Sequence, residues 1–109
     1  MSTQPTGAGP LRSELADDPE MVDLIELFVE ELPNRIGEIG QALADGAWSE
    51  LSRLAHQLRG AGAGYGFEPI SDSAASLEDT TELGGEPDLE AIRACVSELA
   101  SLCVRATAG

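Results

Sequence analysis

Apolar residues in this chain recur at steps of three and four, the period of a helix rather than a strand. Met21, Leu24, Leu27, Phe28 and Leu32 keep that spacing, and Asp18 followed by Pro19 supplies a cap and a first-turn proline in front of them. Pro33 divides this element from a second helix carrying Ile36, Ile39 and Leu43, which "DGAW" (Asp45 to Trp48) stops with Gly46 at the C′ position. A third begins near Trp48 and places Leu51, Leu54, Ala55, Leu58, Gly62 and Tyr65 on one stripe. Phe67, Ile70, Ala74 and Leu77 form the next stripe, closed by Gly84 and Gly85. After Pro87, the residues Leu89, Ile92, Val96, Leu99 and Cys103 make a seam suited to a bundle. The pattern predicts an all-α fold, an up-and-down four-helix bundle with a short additional N-terminal helix. Residues 1–10, small, polar and rich in Gly and Pro, read as a disordered lead, and 11–107 as a single domain.

The third helix carries a conflict. Gly60, Gly62, Gly64 and Gly66 alternate along it, and a glycine in a helix interior costs up to about 1 kcal/mol relative to alanine. Either the chain turns into a loop from Gly60 onward or a helix there needs bare backbone. The stripe reaching Tyr65 favours the helix, with Gly62 allowing close packing and Gly66 ending the element. Gly64 has no evident role in that pattern.

Composition supports helices, with only four aromatic residues and no long β-branched run. The formal net charge is -14, and the six basic residues are all arginine. Such a chain lacks the clustered cations that hold phosphate backbones, which argues against nucleic acid and against an anionic membrane. Cys95 and Cys103 lie eight positions apart, roughly 12 Å along a helix axis, too far to bridge, and read as core thiols. No run approaches a membrane span, and the N-terminus lacks a signal pattern, so a cytoplasmic, free-standing monomer is expected. One histidine and two thiols on another helix give no usual metal-ligand cluster, and no Ser/His or Cys/His catalytic signature is present.

The one histidine, His56, is therefore the residue to place. At about 100° per residue from Leu51, the apolar stripe lies within roughly 60°, whereas His56 falls near ~140° and faces outward. Gly60 falls near ~180° and Ala63 near ~120°, so the face beyond the imidazole is shallow and bare. Arg59 stands on the neighbouring flank, where its guanidinium reaches an anion held at the ring, and phosphate suits that geometry. A lone exposed histidine is ordinarily an idle surface residue; these neighbours change that reading.

The stretch "HQLRGAGAGYG" resembles the signature of histidine phosphotransfer (HPt) domains, His-x-Leu-Lys-Gly-x-x-x-x-x-Gly. His56, Leu58, Gly60 and Gly66 match in register, and Arg59 keeps the charge where the family most often has lysine. The resemblance extends over about Leu15 to Arg105, taking in "LFVEELPNRI" before the motif and "LED" after it. It implies that His56 accepts a phosphoryl group on Nε2, and that Glu78 holds Nδ1. A carboxylate accepting from Nδ1–H fixes the tautomer and raises the basicity of the other nitrogen. Without the resemblance Glu78 is simply a solvated helix acid. The resemblance further implies a phosphocarrier rather than an enzyme, with response-regulator receiver domains and a sensor or hybrid histidine kinase as partners. No cofactor of its own is implied, since the receiver supplies Mg²⁺. Arg59 is then placed to offset charge on the transferred group, and Gly60 to admit a partner's loops. Met21, Val22, Ile25, Arg53 and Ala63 are candidate docking residues around the histidine. The competing reading is an acidic helical bundle that binds a signalling partner and never carries phosphate.

Overall fold

The computed structural model describes residues 9–82 and 86–108. Among them the order is β1 (Leu11–Arg12), α1 (Val22–Asp45), α2 (Trp48–Gly64), α3 (Glu68–Thr81), α4 (Leu89–Arg105) and β2 (Ala106–Thr107). Each helix packs on the one before it and α4 closes against α1, with the most extensive interface between α2 and α3. The expected four-helix bundle is present, and among the described residues the expected separate N-terminal helix is not.

That difference lies at Pro33, which sits inside α1 and does not end it. Ile25, Phe28, Leu32, Ile39 and Ala42 are buried, and Ile36 and Leu43 pack against them, so the stripe crosses Pro33 without losing phase. A proline in a helix interior costs about 3 kcal/mol, while each fully buried large side chain contributes about 1.5–3 kcal/mol. Burial of both halves outweighs the lost backbone bond, and Pro33 itself faces solvent. Asp18 and Pro19 belong to a turn ahead of the helix: Asp18 Oδ1 accepts from Glu20 N at 2.9 Å, and the helical cap position falls to Met21.

The inner stripes otherwise follow the sequence pattern. Leu51, Leu54, Ala55, Leu58 and Gly62 of α2 meet Phe67, Ile70, Ala74 and Leu77 at the start of and along α3, with Ile92, Leu99 and Cys103 contributed by α4. Phe28 of α1 stacks on Tyr65 at 4.9 Å between ring centroids, and the Arg35 guanidinium lies 5.9 Å from the centre of the Phe28 ring. The α1–α2 turn has Gly46 in the left-handed region, φ 65°, as the "DGAW" stop requires. Asp88 caps α4 by accepting from Ala91 N at 3.1 Å. Gly84 and Gly85, expected to close α3, lie outside the described residues, as do residues 1–8 of the expected lead.

Neither two-residue strand was expected. β1 and β2 pair in parallel, Leu11 with Ala106 and Arg12 with Thr107, and Arg105 Nε donates to the Gly9 carbonyl at 2.7 Å. From this clasp the chain crosses the end of α2. Ser13 Oγ donates to the Tyr65 carbonyl at 2.6 Å and accepts from Leu15 N at 2.9 Å, while Glu14 N donates to Gly66 O at 2.8 Å. Gly66, at φ 82°, is doubly constrained, since a Cβ there would come within 2.5 Å of Ser13 Oγ.

Candidate functional site

Because α2 turns Leu51, Leu54, Ala55 and Leu58 inward, it must turn His56 outward, and the histidine side chain is 69% exposed. The helix continues through Gly60 and Gly62 to Gly64, so the loop alternative is excluded. Gly60 and Ala63 are exposed on the face beyond the imidazole, and nothing lies within 4 Å of where a Gly60 side chain would begin. Gly64 is equally open.

Gly62 plays the opposite part. A Cβ there would sit 3.0 Å from Ser71 N and 3.3 Å from Ile70 Cγ2, so its absence lets α3 lie directly against α2. This close approach sets the register of a polar seam between the two helices. Ser71 Oγ donates to the Arg59 carbonyl at 2.9 Å near one end, and Ser52 Oγ donates to Glu82 Oε2 at 2.7 Å near the other. Glu78 lies between them.

Glu78 serves two partners, one with each oxygen. Oε2 is 2.9 Å from His56 Nδ1, and Oε1 accepts from Arg59 Nη1 at 3.1 Å. Its side chain is 11% exposed, whereas Arg59 is half exposed. Burial alone raises the Glu78 pKa, but the hydrogen bonds from Arg59 and His56, with the attraction of their charges, outweigh it and hold the carboxyl below its ordinary range. An ionised carboxylate only accepts, so it pairs with an Nδ1 that carries the proton, and a neutral ring held in that way has its lone pair on the outer nitrogen, Nε2.

The remaining candidates divide. Arg53 is tied to Glu50, one turn earlier on α2, through Nε to Oε1 at 2.9 Å and a second contact from Nη2 to Oε2. Ile25 is fully buried in the core and is not a docking residue; the phase of α1 puts it beside Phe28 and Leu32 on the inner stripe. Met21 and Val22 are partly buried. The apolar side chains that α1 does expose are Leu24, 44% exposed, and Leu27, 59% exposed, both assigned to the inner face by spacing alone. Phe28 and Ile25 rather than Leu27 mark the centre of the stripe, a phase that the run across Pro33 to Ile39 already carries.

Among the described residues no group of three or more His, Cys, Asp or Glu side chains is arranged to hold a metal ion. Nor is any helix there long and apolar enough to cross a membrane. Fold and site together define a helical-bundle module that presents one oriented histidine to solvent. The family model of the Hpt domain matches residues 23–102, and the chain belongs to the Hpt domain family, phosphotransfer modules of two-component signalling. Members of this family interact with histidine kinases and receiver domains in phosphorelays. Comparison with curated proteins and with solved structures gave no match.

Proposed function

We propose that His56 carries a phosphoryl group on Nε2 between receiver-domain aspartates, with Glu78 as the residue that orients the ring. The observation supporting this most strongly is the 2.9 Å contact of Nδ1 with a sheltered, ionised Glu78 while the ring stands exposed beside the bare surface of Gly60 and Ala63. In the loading step the Nε2 lone pair forms the N–P bond as the P–O bond of an aspartyl phosphate breaks, and the bonding pair leaves with the aspartate oxygen. The ring gains positive charge as the bond forms. Glu78, already bonded to Nδ1–H, offsets that charge without rearrangement. Discharge to a second receiver is the same displacement reversed. Mg²⁺ held by the receiver offsets charge on the equatorial oxygens, and this chain contributes positioning. On this reading the protein acts as a monomeric carrier with no cofactor of its own.

His56→Gln tests the assignment. The variant is expected to accept no phosphate from a phosphorylated receiver while keeping its helical content and cooperative melting, because the side chain projects from the bundle. Acceptance at the wild-type rate would place the phosphoryl group on another residue.

A further inference from the structure

The half of α2 beyond His56 is its intrinsically weakest part. Gly60, Gly62 and Gly64 all lie within the helix, and each weakens it relative to alanine. Packing fixes the inner side, with Gly62 against Ser71 and Tyr65 stacked on Phe28. The helix closes as Tyr65 N, Gly66 N and Phe67 N donate to the carbonyls of Ala61, Ala63 and Gly62 at 3.0, 3.3 and 2.8 Å.

The next two carbonyls, of Tyr65 and Gly66, are taken by the stretch ahead of α1. Ser13 Oγ donates to the first at 2.6 Å and Glu14 N to the second at 2.8 Å. The anchor is a folded turn: Ser13 is buried, its Oγ accepts from Leu15 N at 2.9 Å and its carbonyl from Ala16 N at 3.2 Å. Leu11 and Leu15, on either side of it, pack against the core. Upstream, the same stretch is fastened to the end of α4 by the β1–β2 pairing and by Arg105 Nε on the Gly9 carbonyl. All of residues 9–16 lie outside the family-matched segment, so they are an addition to the bundle that the family pattern describes.

We propose that residues 9–16 are a strap that controls the end of the site helix. While it is fastened, the stretch from Gly60 to Gly66 is held helical and the bare face beside His56 is formed; when it is released, that stretch opens on its own and leaves the rest of the bundle intact. One end of the strap is paired with the chain leaving α4 and the other sits on α2. An event that loosens the β1–β2 pairing is therefore felt at the histidine helix without crossing the core. The effect on transfer rests on the phosphocarrier reading above, whereas the effect on the helix does not.

The test is amide hydrogen exchange on wild type, Ser13→Ala, Arg105→Gln and the double variant Ser13→Ala/Gly64→Ala, with circular dichroism confirming helical content, beside the rate of phosphate acceptance from a phosphorylated receiver. In wild type the Glu14 amide and those of residues 65–67 are expected to exchange at matching protection, as one opening unit. Ser13→Ala should speed exchange at that set roughly five- to tenfold, the effect of one hydrogen bond of ordinary net strength, with the Leu99 amide of α4 unchanged. Arg105→Gln should speed the same set by a smaller factor. Gly64→Ala should return part of the protection lost in Ser13→Ala, because a methyl at that open position favours the helix. Phosphate acceptance should slow severalfold in Ser13→Ala. Unchanged exchange at residues 65–67, or equal acceleration at Leu99, would overturn the proposal, the latter by making the strap a source of global stability alone. A response to Arg105→Gln confined to residues 9–12 would overturn the link between the two ends, and unchanged phosphate acceptance the link to transfer. Failure of wild-type protein to accept phosphate would instead overturn the carrier reading, and the exchange data would still decide the strap.

Discussion

At the scale of single residues, the site depends on Glu78 being both sheltered and ionised. Its depressed pKa means that its contribution to stability is present above the ordinary carboxyl value of 4.5 and is lost as pH falls through the lower value of the folded state. The stability difference between wild type and Glu78→Gln, measured by chemical denaturation, should therefore narrow on acidification below about pH 4.5. A difference that stayed constant to lower pH would mean that the carboxylate charge contributes nothing. Glu78→Ala should slow phosphoryl transfer roughly tenfold or more, taking as a lower guide the ten- to hundredfold loss on removing the partner that orients a metal-bound imidazole, and more than its effect on stability alone explains. His56 and Gly60 were legible in the sequence because the motif spacing and the outward phase of His56 pointed the same way, whereas Glu78 was legible only through the family resemblance. The Arg59–Glu78 pair was not, since 19 residues separate them and the register joining α2 to α3 is set by Gly62 lying against Ser71.

At the scale of elements, the alternate glycines of α2 separate into those that clear a surface and those that permit a contact. Gly60→Ala should raise stability by up to about 1 kcal/mol, because the site is helical and open. Gly62→Ala should lower it, because the added methyl meets the α3 backbone at 3.0 Å. Thermal or denaturant unfolding of the two variants checks the pair, and the same sign for both would contradict this division of roles. Gly60→Gln should hold its fold and transfer phosphate more slowly if the bare face admits a partner. The open surroundings of Gly64 put it in the same class as Gly60, a role that the sequence pattern alone did not supply. In α1 the proline rule misled, since an average preference was set against a stripe of eight apolar positions from Ile25 to Leu43. Pro33→Ala is expected to stabilise the protein by about 1–3 kcal/mol, helix propensity gained less the looser unfolded chain. A lower unfolding midpoint in that variant would show that Pro33 packing matters more than the missing amide.

At the scale of the molecule, the bundle proper coincides with the family-matched segment, residues 23–102, while the β1–β2 clasp lies wholly outside it. Two-residue strands have too few positions to show a period, so nothing in the hydrophobic pattern announced them. The clasp nonetheless reaches the site helix, because Ser13 and Glu14 hold the carbonyls of Tyr65 and Gly66 at its end. The interior is sheltered enough that burial pushes the Cys103 thiol up to about 12, so alkylation near pH 8 should spare Cys103 until the protein unfolds. What the whole molecule exposes is one oriented imidazole on an acidic bundle, and the chemistry of the adduct tests that most directly. Wild-type protein should be incubated with a labelled, phosphorylated receiver domain and Mg²⁺, and the product examined by acid and base treatment and by ³¹P NMR. Phosphocarriage on His56 predicts a phosphoramidate on Nε2, labile in acid and stable in base. An acid-stable ester, a phosphoramidate on Nδ1, or no transfer from any receiver that discharges to other members of the family would contradict it.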